Sequence, residues 1–161
     1  MERIALFAGS FDPFTVAHFS LAKRASALFD RVIIAVGENV QKHPLFSTEL
    51  RVKLIQKATA NLENVCVKSY AGLTGNFATE NGAKFLLRGI RSPNEFDIER
   101  NLAWNNARLY PEIETVYLQI EAENAAVSSS AVREILKFGG DISSMVPPSI
   151  LGDILNATEK F

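Results

Sequence analysis

The feature that most constrains the fold of this chain is an alternation of short apolar, β-branched runs with segments of helical periodicity. Five such runs are present: Ile4–Ala8, Arg31–Val36, Val65–Ser69, Lys84–Leu87 and Val116–Ile120. Most of them are apolar at successive positions, which is typical of parallel strands covered on both faces. The runs therefore predict five strands of a buried parallel sheet.

The segments between these runs have the spacing of amphipathic helices. In the first of them five apolar residues share one helical face: Leu21, Ala22, Ala25, Leu28 and Phe29. Further helices are predicted after the cap Ser47 or Thr48, over Asn76–Glu80, over Glu95–Leu109, from residues 128–130 and after Pro147-Pro148. Alternating strands and helices predict an α/β fold, a doubly wound, Rossmann-like parallel five-stranded sheet with helices on both faces. At 161 residues, the chain is expected to form a single domain over residues 1–161.

Composition narrows the class of protein. A net charge of −1 argues against a broad basic surface, so no nucleic-acid partner is expected. The single Cys66 excludes an intramolecular disulfide framework and a cysteine metal cluster, and no metal ligands are assigned. No apolar segment approaches 18 residues and the N-terminus lacks a signal-peptide core, so a cytoplasmic protein without a membrane partner is expected.

The unusual polar residues cluster where predicted strands end. They are Gly9, Ser10 and His18 after the first strand, Lys42 and His43 after the second, residues 88–91 (RGIR) after the fourth, and residues 127–130 (VSSS) after the fifth. In an open parallel sheet the carboxyl ends of the strands meet at one edge, where ligands bind. Cations, hydroxyl groups and helix N-termini at a common edge predict a site for a polyphosphate.

The residues alone leave simpler explanations open. His18 could be a surface residue in the first turn of a helix. Arg88 and Arg91 could be structural ion-pair partners of acids in the next helix, Glu95, Asp97 or Glu99. The familiar alternatives for phosphate binding are absent, because the sequence has neither GxxxxGK[ST] nor GxGxxG after the first strand. A serine hydrolase or a metalloprotease is also excluded, since GxSxG and HExxH are missing.

Four blocks of the sequence resemble one enzyme family. GSFDPFTVAH (residues 9–18) resembles the [GT/GS]FDPxTxGH signature of the nucleotidyltransferase superfamily, and VSSSAVRE (127–134) resembles its ISSSxVRE form. RGIRSPNEFDIERNLAWNNARL (88–109) and NVQKHPLFSTELRVKLI (39–55) are similar to blocks of the phosphopantetheine adenylyltransferase family. The blocks follow the family's order across nearly the whole chain, so the chain is identified as resembling a bacterial member of that family.

The resemblance implies a reaction and a set of partners. ATP and 4′-phosphopantetheine would give 3′-dephospho-coenzyme A and pyrophosphate, with Mg²⁺, in coenzyme A biosynthesis. The nucleophile is a phosphate oxygen that is already ionised, so catalysis reduces to in-line positioning and neutralisation of charge. The family also implies a homohexamer.

The resemblance assigns roles residue by residue. His18 would stabilise the transition state at the α-phosphate. The residues expected to bind ATP are Ser10, Phe11, His18, Gly89, Ile90, Arg91, Glu99, Asn124, Ala125, Ala126, Val127, Ser128, Ser129 and Ser130. Those expected to bind the acceptor are Ser10, Lys42, Thr74 and Arg88.

This chain departs from the family pattern at Ala17, where a glycine is usual; the substitution adds one methyl group, expected beside the ATP site.

The nearest alternative function is a nucleotidyltransferase with another acceptor, such as a cytidylyltransferase or a nicotinamide-mononucleotide adenylyltransferase. A second alternative is a non-catalytic, flavodoxin-like binding module, which would not require these cations and hydroxyl groups on one edge.

Overall fold

A computed structural model describes residues 1–38 and 43–159 of the chain. The strands are β1 (Ile4–Gly9), β2 (Arg31–Gly37), β3 (Val65–Tyr70), β4 (Phe85–Ile90) and β5 (Glu114–Gln119). The helices are α1 (Val16–Leu28), α2 (Thr48–Ala58), α3 (Thr74–Glu80), α4 (Pro93–Leu109), α5 (Ser129–Lys137) and α6 (Pro148–Thr158), with a 3₁₀ turn at Ala122–Asn124. The predicted alternation of strands and helices is confirmed.

The five strands form one parallel sheet in the order β3-β2-β1-β4-β5. The order runs outward from β1 in one direction and then reverses, so the carboxyl ends of β1 and β4 flank the switch point of the sheet. Ligands of doubly wound folds bind at such a point. The fold class predicted from the sequence is therefore confirmed, and the topology fixes where a site is expected.

The core lies on both faces of the sheet because successive side chains of a strand point to opposite sides. Phe7 and Ile34 belong to the larger apolar cluster, with residues of α1, α2, α5 and α6. Leu6 and Ile33 belong to a smaller cluster on the other face, which includes Ala78 of α3. β1 and β2 are buried almost throughout, whereas β4 and the two edge strands, β3 and β5, are only partly buried.

Polar side chains begin four of the helices. Thr15, Ser47, Ser92 and Ser128 are the N-caps of α1, α2, α4 and α5, and each accepts a hydrogen bond from a backbone N–H of the first turn. Such a cap stabilises a helix by about 1 kcal/mol, because it satisfies a donor that the helix itself leaves unpaired. The predictions of Ser47 as a cap and of a helix starting near residues 128–130 are confirmed.

Several predicted boundaries were wrong. β4 does not end at Leu87 but continues to Ile90, because its pairing with β5 persists to Ile90 opposite Gln119. Arg88 therefore lies within the strand rather than after it. The predicted start of α3 is two residues late, and that of α4 is also two residues late because Pro93 occupies the first turn, where proline needs no N–H donor.

The longest helix, α4, covers the second face of the sheet without burying any residue fully. Its most exposed apolar side chains are Ile98, Leu102, Trp104 and Leu109, each at least 50% accessible. In the part of the chain that the structure describes, no helix has both the length and the apolar character needed to cross a membrane.

Glycine at position 75 is required by the ring of Tyr110. A Cβ at this position would overlap the ring, whose hydroxyl group donates a 2.6 Å hydrogen bond to Asn76 Oδ1. We expect Gly75→Ala to lower the free energy of unfolding by about 1–3 kcal/mol, since the ring must move. Urea denaturation measures this change.

Gly152→Ala is the matched control for Gly75→Ala. Gly152 lies on the exposed side of α6, and a Cβ there would meet no atom within 4 Å. The control should stabilise the protein by up to about 1 kcal/mol through helix propensity. Equal effects of the two substitutions would show that the Tyr110 ring does not constrain position 75.

Candidate active site

The loop from β1 to α1 is bent sharply around the ring of Phe11. Phe11 has a φ of +50°, in the left-handed region that residues with a side chain rarely adopt. A Cβ on Gly9 would lie 3.0 Å from the Phe11 ring, so glycine makes room for it. The ring is itself 4% exposed and meets the imidazole of His18 edge-on at 5.0 Å. Strain of this kind is typical of functional loops.

Buried polar contacts fix this loop against the β2–α2 connection. The Asp12 carboxylate accepts hydrogen bonds from the backbone N–H groups of Leu45, at 2.7 Å, and Phe46, at 2.9 Å. The guanidinium of Arg51, which is 3% exposed, donates to the Ser10 carbonyl at 2.6 Å and to the Phe46 carbonyl at 3.0 Å. The sequence reasoning did not identify Asp12 or Arg51, because their partners are backbone groups distant along the chain.

His18 lies in the first turn of α1 with its ring orientation fixed. Its Nδ1 accepts a hydrogen bond from the backbone N–H of Thr15 at 3.0 Å, completing a capping box. Because Nδ1 is an acceptor, the neutral ring carries its proton on Nε2. The ring stacks on Phe14 at 5.5 Å. Burial lowers the pKa of His18 to about 3, with a smaller contribution from the positive charge of Arg91. The imidazole is therefore neutral and offers Nε2–H as a donor.

Ala17 is fully buried beside this residue. Its methyl group belongs to the larger apolar cluster, at 0% exposure. The extra methyl relative to a glycine therefore packs into the core, and its expected place beside the ATP site stays a prediction.

Arg88 on β4 is held by a carboxylate of α4. Its Nε donates to Glu99 Oε2 at 2.7 Å and its Nη2 to Glu99 Oε1 at 2.6 Å, a bidentate ion pair. A third hydrogen bond runs from Nη1 to the Ala8 carbonyl on β1 at 3.0 Å. Arg88 thus spans the switch point between β1 and β4, where a ligand is expected.

Arg91 lies just beyond β4 and points toward α5. Its Nη1 donates to Glu95 Oε1 at 3.1 Å, and its backbone N–H donates to the other oxygen of the same carboxylate at 2.6 Å. Its Nη2 donates to the Val127 carbonyl at 3.0 Å, next to the start of α5. Both arginines are therefore ion-paired, as the simpler explanation expected, with Glu99 and Glu95; Asp97 pairs with Arg100 instead.

The serines at the start of α5 meet the β1–α1 loop. Ser128 caps the helix, and Ser129 Oγ donates to the Pro13 carbonyl at 2.8 Å. Arg133 donates to the Asp12 carbonyl at 2.7 Å and to Ser130 Oγ at 3.2 Å. The N-termini of α1 and α5 are thereby joined, which places backbone donors and two positive helix ends near His18.

Two cavities lie on the side of the switch point away from the start of α5. One, of about 260 Å³, lies between the sheet and helices α3 and α4, and its lining includes Thr74, Arg88 and Glu99. The other, of about 380 Å³, is lined by Ser10, Thr74 and Arg88 among others. Three of the residues predicted to bind the acceptor are thus brought together, while the fourth, Lys42, lies outside the described residues.

Most of the residues predicted to bind ATP lie around the start of α5 and the β1–α1 loop, whereas Glu99 lies apart from them. Arg91, Val127 and the serines 128–130 gather around the start of α5, beside the loop that holds Ser10, Phe11 and His18. Gly89 and Ile90 are strand residues of β4, and residues 124–126 form the turn before α5. Glu99 is placed apart from this group, because it pairs with Arg88 in the cavity that Thr74 lines.

The environment of His18, half-buried against the rings of Phe11 and Phe14, predicts an unusual titration. We expect its ring to stay neutral, with the proton on Nε2, down to about pH 3–4. The unfolded chain takes up this proton near pH 6.5, so His18 makes the folded state progressively less stable as the pH falls below that value. Long-range ¹H–¹⁵N correlation spectra between pH 4 and 8 would measure this, and a midpoint near 6.5 would contradict it.

Comparisons with known proteins give the family. A cytidylyltransferase-like family profile matches residues 6–135. A phosphopantetheine adenylyltransferase from Rubrobacter xylanophilus is 47% identical over 148 residues, covering 92% of this chain and 90% of the relative. One from Latilactobacillus sakei is 49% identical over 150 residues, covering 92% and 91%.

The comparison with solved structures gives the fold. A structure from Vibrio parahaemolyticus, provisionally described as a nicotinate-nucleotide adenylyltransferase, superposes with a TM-score of 0.74 at 19% identity, covering 100% of this chain and 98% of that one. At this identity the likeness shows a shared fold and no more. The family is shown by the 47–49% sequence identity to these relatives over more than 90% of the chain. The chain belongs to the phosphopantetheine adenylyltransferase family of enzymes.

Proposed function

We propose that this protein is a pantetheine-phosphate adenylyltransferase, which transfers the adenylyl group of ATP to 4′-phosphopantetheine and releases 3′-dephospho-coenzyme A and pyrophosphate. The observation that carries the proposal is the placement of two arginines on opposite sides of the switch point. Arg88 borders cavities that Thr74 also lines, while Arg91 contacts the segment before α5. Two phosphate-bearing substrates can thus approach one point from two sides. This step belongs to coenzyme A biosynthesis.

The chemistry requires positioning rather than a general base. The phosphate of 4′-phosphopantetheine is largely ionised at neutral pH and can attack the α-phosphorus of ATP directly. Negative charge then grows on the α-phosphate oxygens. His18 Nε2–H would donate to one of these oxygens, since its other nitrogen is engaged by Thr15. The backbone N–H groups at the starts of α1 and α5 would supply further positive potential.

The remaining residues would bind the outer phosphates of ATP, the attacking phosphate of the acceptor and the pantetheine arm. Arg91 and the hydroxyl groups of residues 128–130 would bind the outer phosphates of ATP, next to the α5 N-terminus. Arg88 and Lys42 would bind the phosphate of the acceptor, with Ser10 between the two substrates. Thr74 would contact the pantetheine arm, which needs a partly apolar cavity such as the one beneath α4.

Mg²⁺ would enter with ATP rather than occupy a protein site of its own. Among the described residues no group of three or more His, Cys, Asp or Glu side chains is arranged to hold a metal ion. Both carboxylate oxygens of Asp12, in the β1–α1 loop, accept hydrogen bonds from backbone N–H groups. Coordination by phosphate oxygens fits this donor set, and the ion would screen the charge of the triphosphate.

We further propose that the protein acts in the cytoplasm, where ATP is available, as a homohexamer. The exposed apolar side chains of α4 support self-association, because Ile98 and Trp104 are 64% and 60% exposed. Leu102 and Leu109, which are also exposed, line the cavity proposed for the pantetheine arm. Arg100 on the same helix lies 4.9 Å from the centre of the Trp104 ring, a contact common in protein interfaces.

A substrate screen tests the proposed function. Release of pyrophosphate from ATP should depend on added 4′-phosphopantetheine, because this acceptor combines a phosphate for Arg88 with an arm suited to the partly apolar cavity beneath α4. Nicotinamide mononucleotide as acceptor and CTP as nucleotide are the matched controls, and neither should support turnover. The proposal would be overturned if ATP and phosphopantetheine gave no turnover while ATP with nicotinamide mononucleotide, or CTP with phosphopantetheine, did.

His18→Ala should lower turnover by roughly a hundred- to a thousandfold, the usual loss for one transition-state donor. ATP affinity should change far less, since other groups bind the outer phosphates. Steady-state kinetics and calorimetric titration with ATP measure the two effects.

His18→Asn is the matched variant for this prediction. Its amide oxygen can replace Nδ1 as the acceptor for the Thr15 N–H, but it has no donor in the place of Nε2. It should lose as much turnover as the alanine variant while retaining more of the helix cap. Turnover within about threefold of wild type in either variant would make His18 a structural residue only.

A further inference from the structure

We propose that Glu121 is a positioning residue for ATP, which holds the turn before α5 against the helix that carries His18. This turn, residues 121–127, is called the nucleotide turn below, because its residues 124–127 were predicted to bind ATP. The inference rests on the proposed function, in which His18 donates to the α-phosphate of ATP. It follows from the hydrogen bonds that join Glu121 to α1 and from the small number of other contacts that hold the turn.

The first observation is the contact between Glu121 and α1. Its Oε1 atom accepts a hydrogen bond from Ser20 Oγ at 2.5 Å and another from Arg24 Nη1 at 3.3 Å. Arg24 also donates to the carbonyl group of Gln119, the last residue of β5, at 2.7 Å. Ser20 and Arg24 are four residues apart on α1 and therefore share one face of that helix. The start of the nucleotide turn is thus attached to this face.

The Glu121 carboxyl group is ionised at neutral pH. The hydrogen bond from Ser20 lowers its pKa below the ordinary value, and the charge of Arg24 and the side chain of Asn124 act in the same direction. The side chains of Arg24 and Glu121 are 39% and 33% exposed, so solvent weakens their ion pair. We expect the hydrogen bond from Ser20 to be the stronger contact, because a charged acceptor strengthens it.

The second observation is how few other contacts hold the middle of the nucleotide turn. Residues 122, 123, 125 and 126 are exposed, and three of these four are alanines. Within residues 1–38 and 43–159, no side chain from outside the turn forms a hydrogen bond with residues 122–126. At the far end, the Val127 carbonyl accepts from Arg91 at 3.0 Å. These side-chain contacts therefore fix the turn at its two ends, through Glu121 and Arg91.

The third observation is the place of Ser20 on α1. Ser20 follows His18 by two residues, so its bond to Glu121 joins the helical turn that carries the imidazole to the nucleotide turn. A single ATP molecule would meet His18 with its α-phosphate and residues 124–127 with its nucleoside, so the two segments must be held at a fixed separation. A turn that is already in place does not have to be ordered by the ligand, which favours affinity.

The test compares Glu121→Ala, Glu121→Gln and Ser20→Ala with wild type, using calorimetric titration and steady-state kinetics. The dissociation constant and KM for ATP should rise by about three- to tenfold in Glu121→Ala, because ATP then has to order the turn. The rise should be smaller in Glu121→Gln, whose amide oxygen can still accept from Ser20. The dissociation constant for 4′-phosphopantetheine should stay within about twofold, and thermal unfolding of each variant reports any loss of folding.

A double variant shows whether Ser20 and Glu121 act together. The change Ser20→Ala combined with Glu121→Ala should weaken ATP binding no more than about twofold beyond Glu121→Ala alone, because both substitutions remove the same hydrogen bond. Fully additive losses would overturn the proposed contact.

Glu123→Ala is the matched control, because it removes the same charge from an exposed position of the same turn. It should leave the ATP constants within about twofold of wild type. The proposal would be overturned if Glu121→Ala bound ATP as tightly as this control, or if it lost affinity equally for both substrates. A wild-type protein that binds ATP but shows no turnover with phosphopantetheine would instead refute the proposed function.

Discussion

The site depends on a buried guanidinium that, within residues 1–38 and 43–159, forms no hydrogen bond to a carboxylate. Arg51 donates to the carbonyl groups of Ser10, Gly37 and Phe46 and to the Thr48 hydroxyl group. Burying a charge is costly unless its donors are satisfied, and here carbonyl dipoles from several segments supply that compensation. The same bonds hold the ends of β1 and β2 and the start of α2 together. The bent loop that presents His18 is therefore held by Arg51, a residue outside the loop, as well as by its own Asp12.

Helix α4 has two faces with different roles. Toward the sheet it presents Glu95 and Glu99, which pair with Arg91 and Arg88. Toward solvent it presents large apolar side chains, including Trp104 at 60% exposure. The two cations of the site are thus oriented by one helix, whose attachment to the sheet is largely polar. Covering its outer face with another subunit would stabilise the helix and, through the carboxylates, both arginines.

Much of the fold could be predicted because its signals are local. Five continuously apolar runs and the intervening helical spacing were sufficient for the parallel sheet, and Ser47 marked a helix start. The end of β4 was placed too early, because the charged residue Arg88 interrupts the run of apolar residues that predicts the strand. In the structure Glu99 pairs with the charge of Arg88, and the backbone pairing with β5 continues through Arg88 to Ile90.

In the candidate site, too, the residues that belong to a local motif could be predicted, and those that make distant contacts could not. Motif resemblance was enough to single out His18, Arg88 and Arg91, whose environment the structure then describes. Asp12 and Arg51 left no such trace, because a hydrogen bond to a backbone group 33 or 41 residues away imposes no pattern on the sequence. The pairing of Glu99 with Arg88 was only one of several possibilities, since three acids lay within reach.

Ala17 has a consequence for the chain before it folds. A glycine at this position would leave the unfolded segment before His18 many more backbone conformations than an alanine does, and folding would have to remove them all. In a helix the difference amounts to about 1 kcal/mol. Since the methyl group also fills space in the core, this chain holds its first helical turn at a lower entropic cost. The helical turn that carries the imidazole therefore loses less conformational entropy on folding than it would with a glycine at position 17.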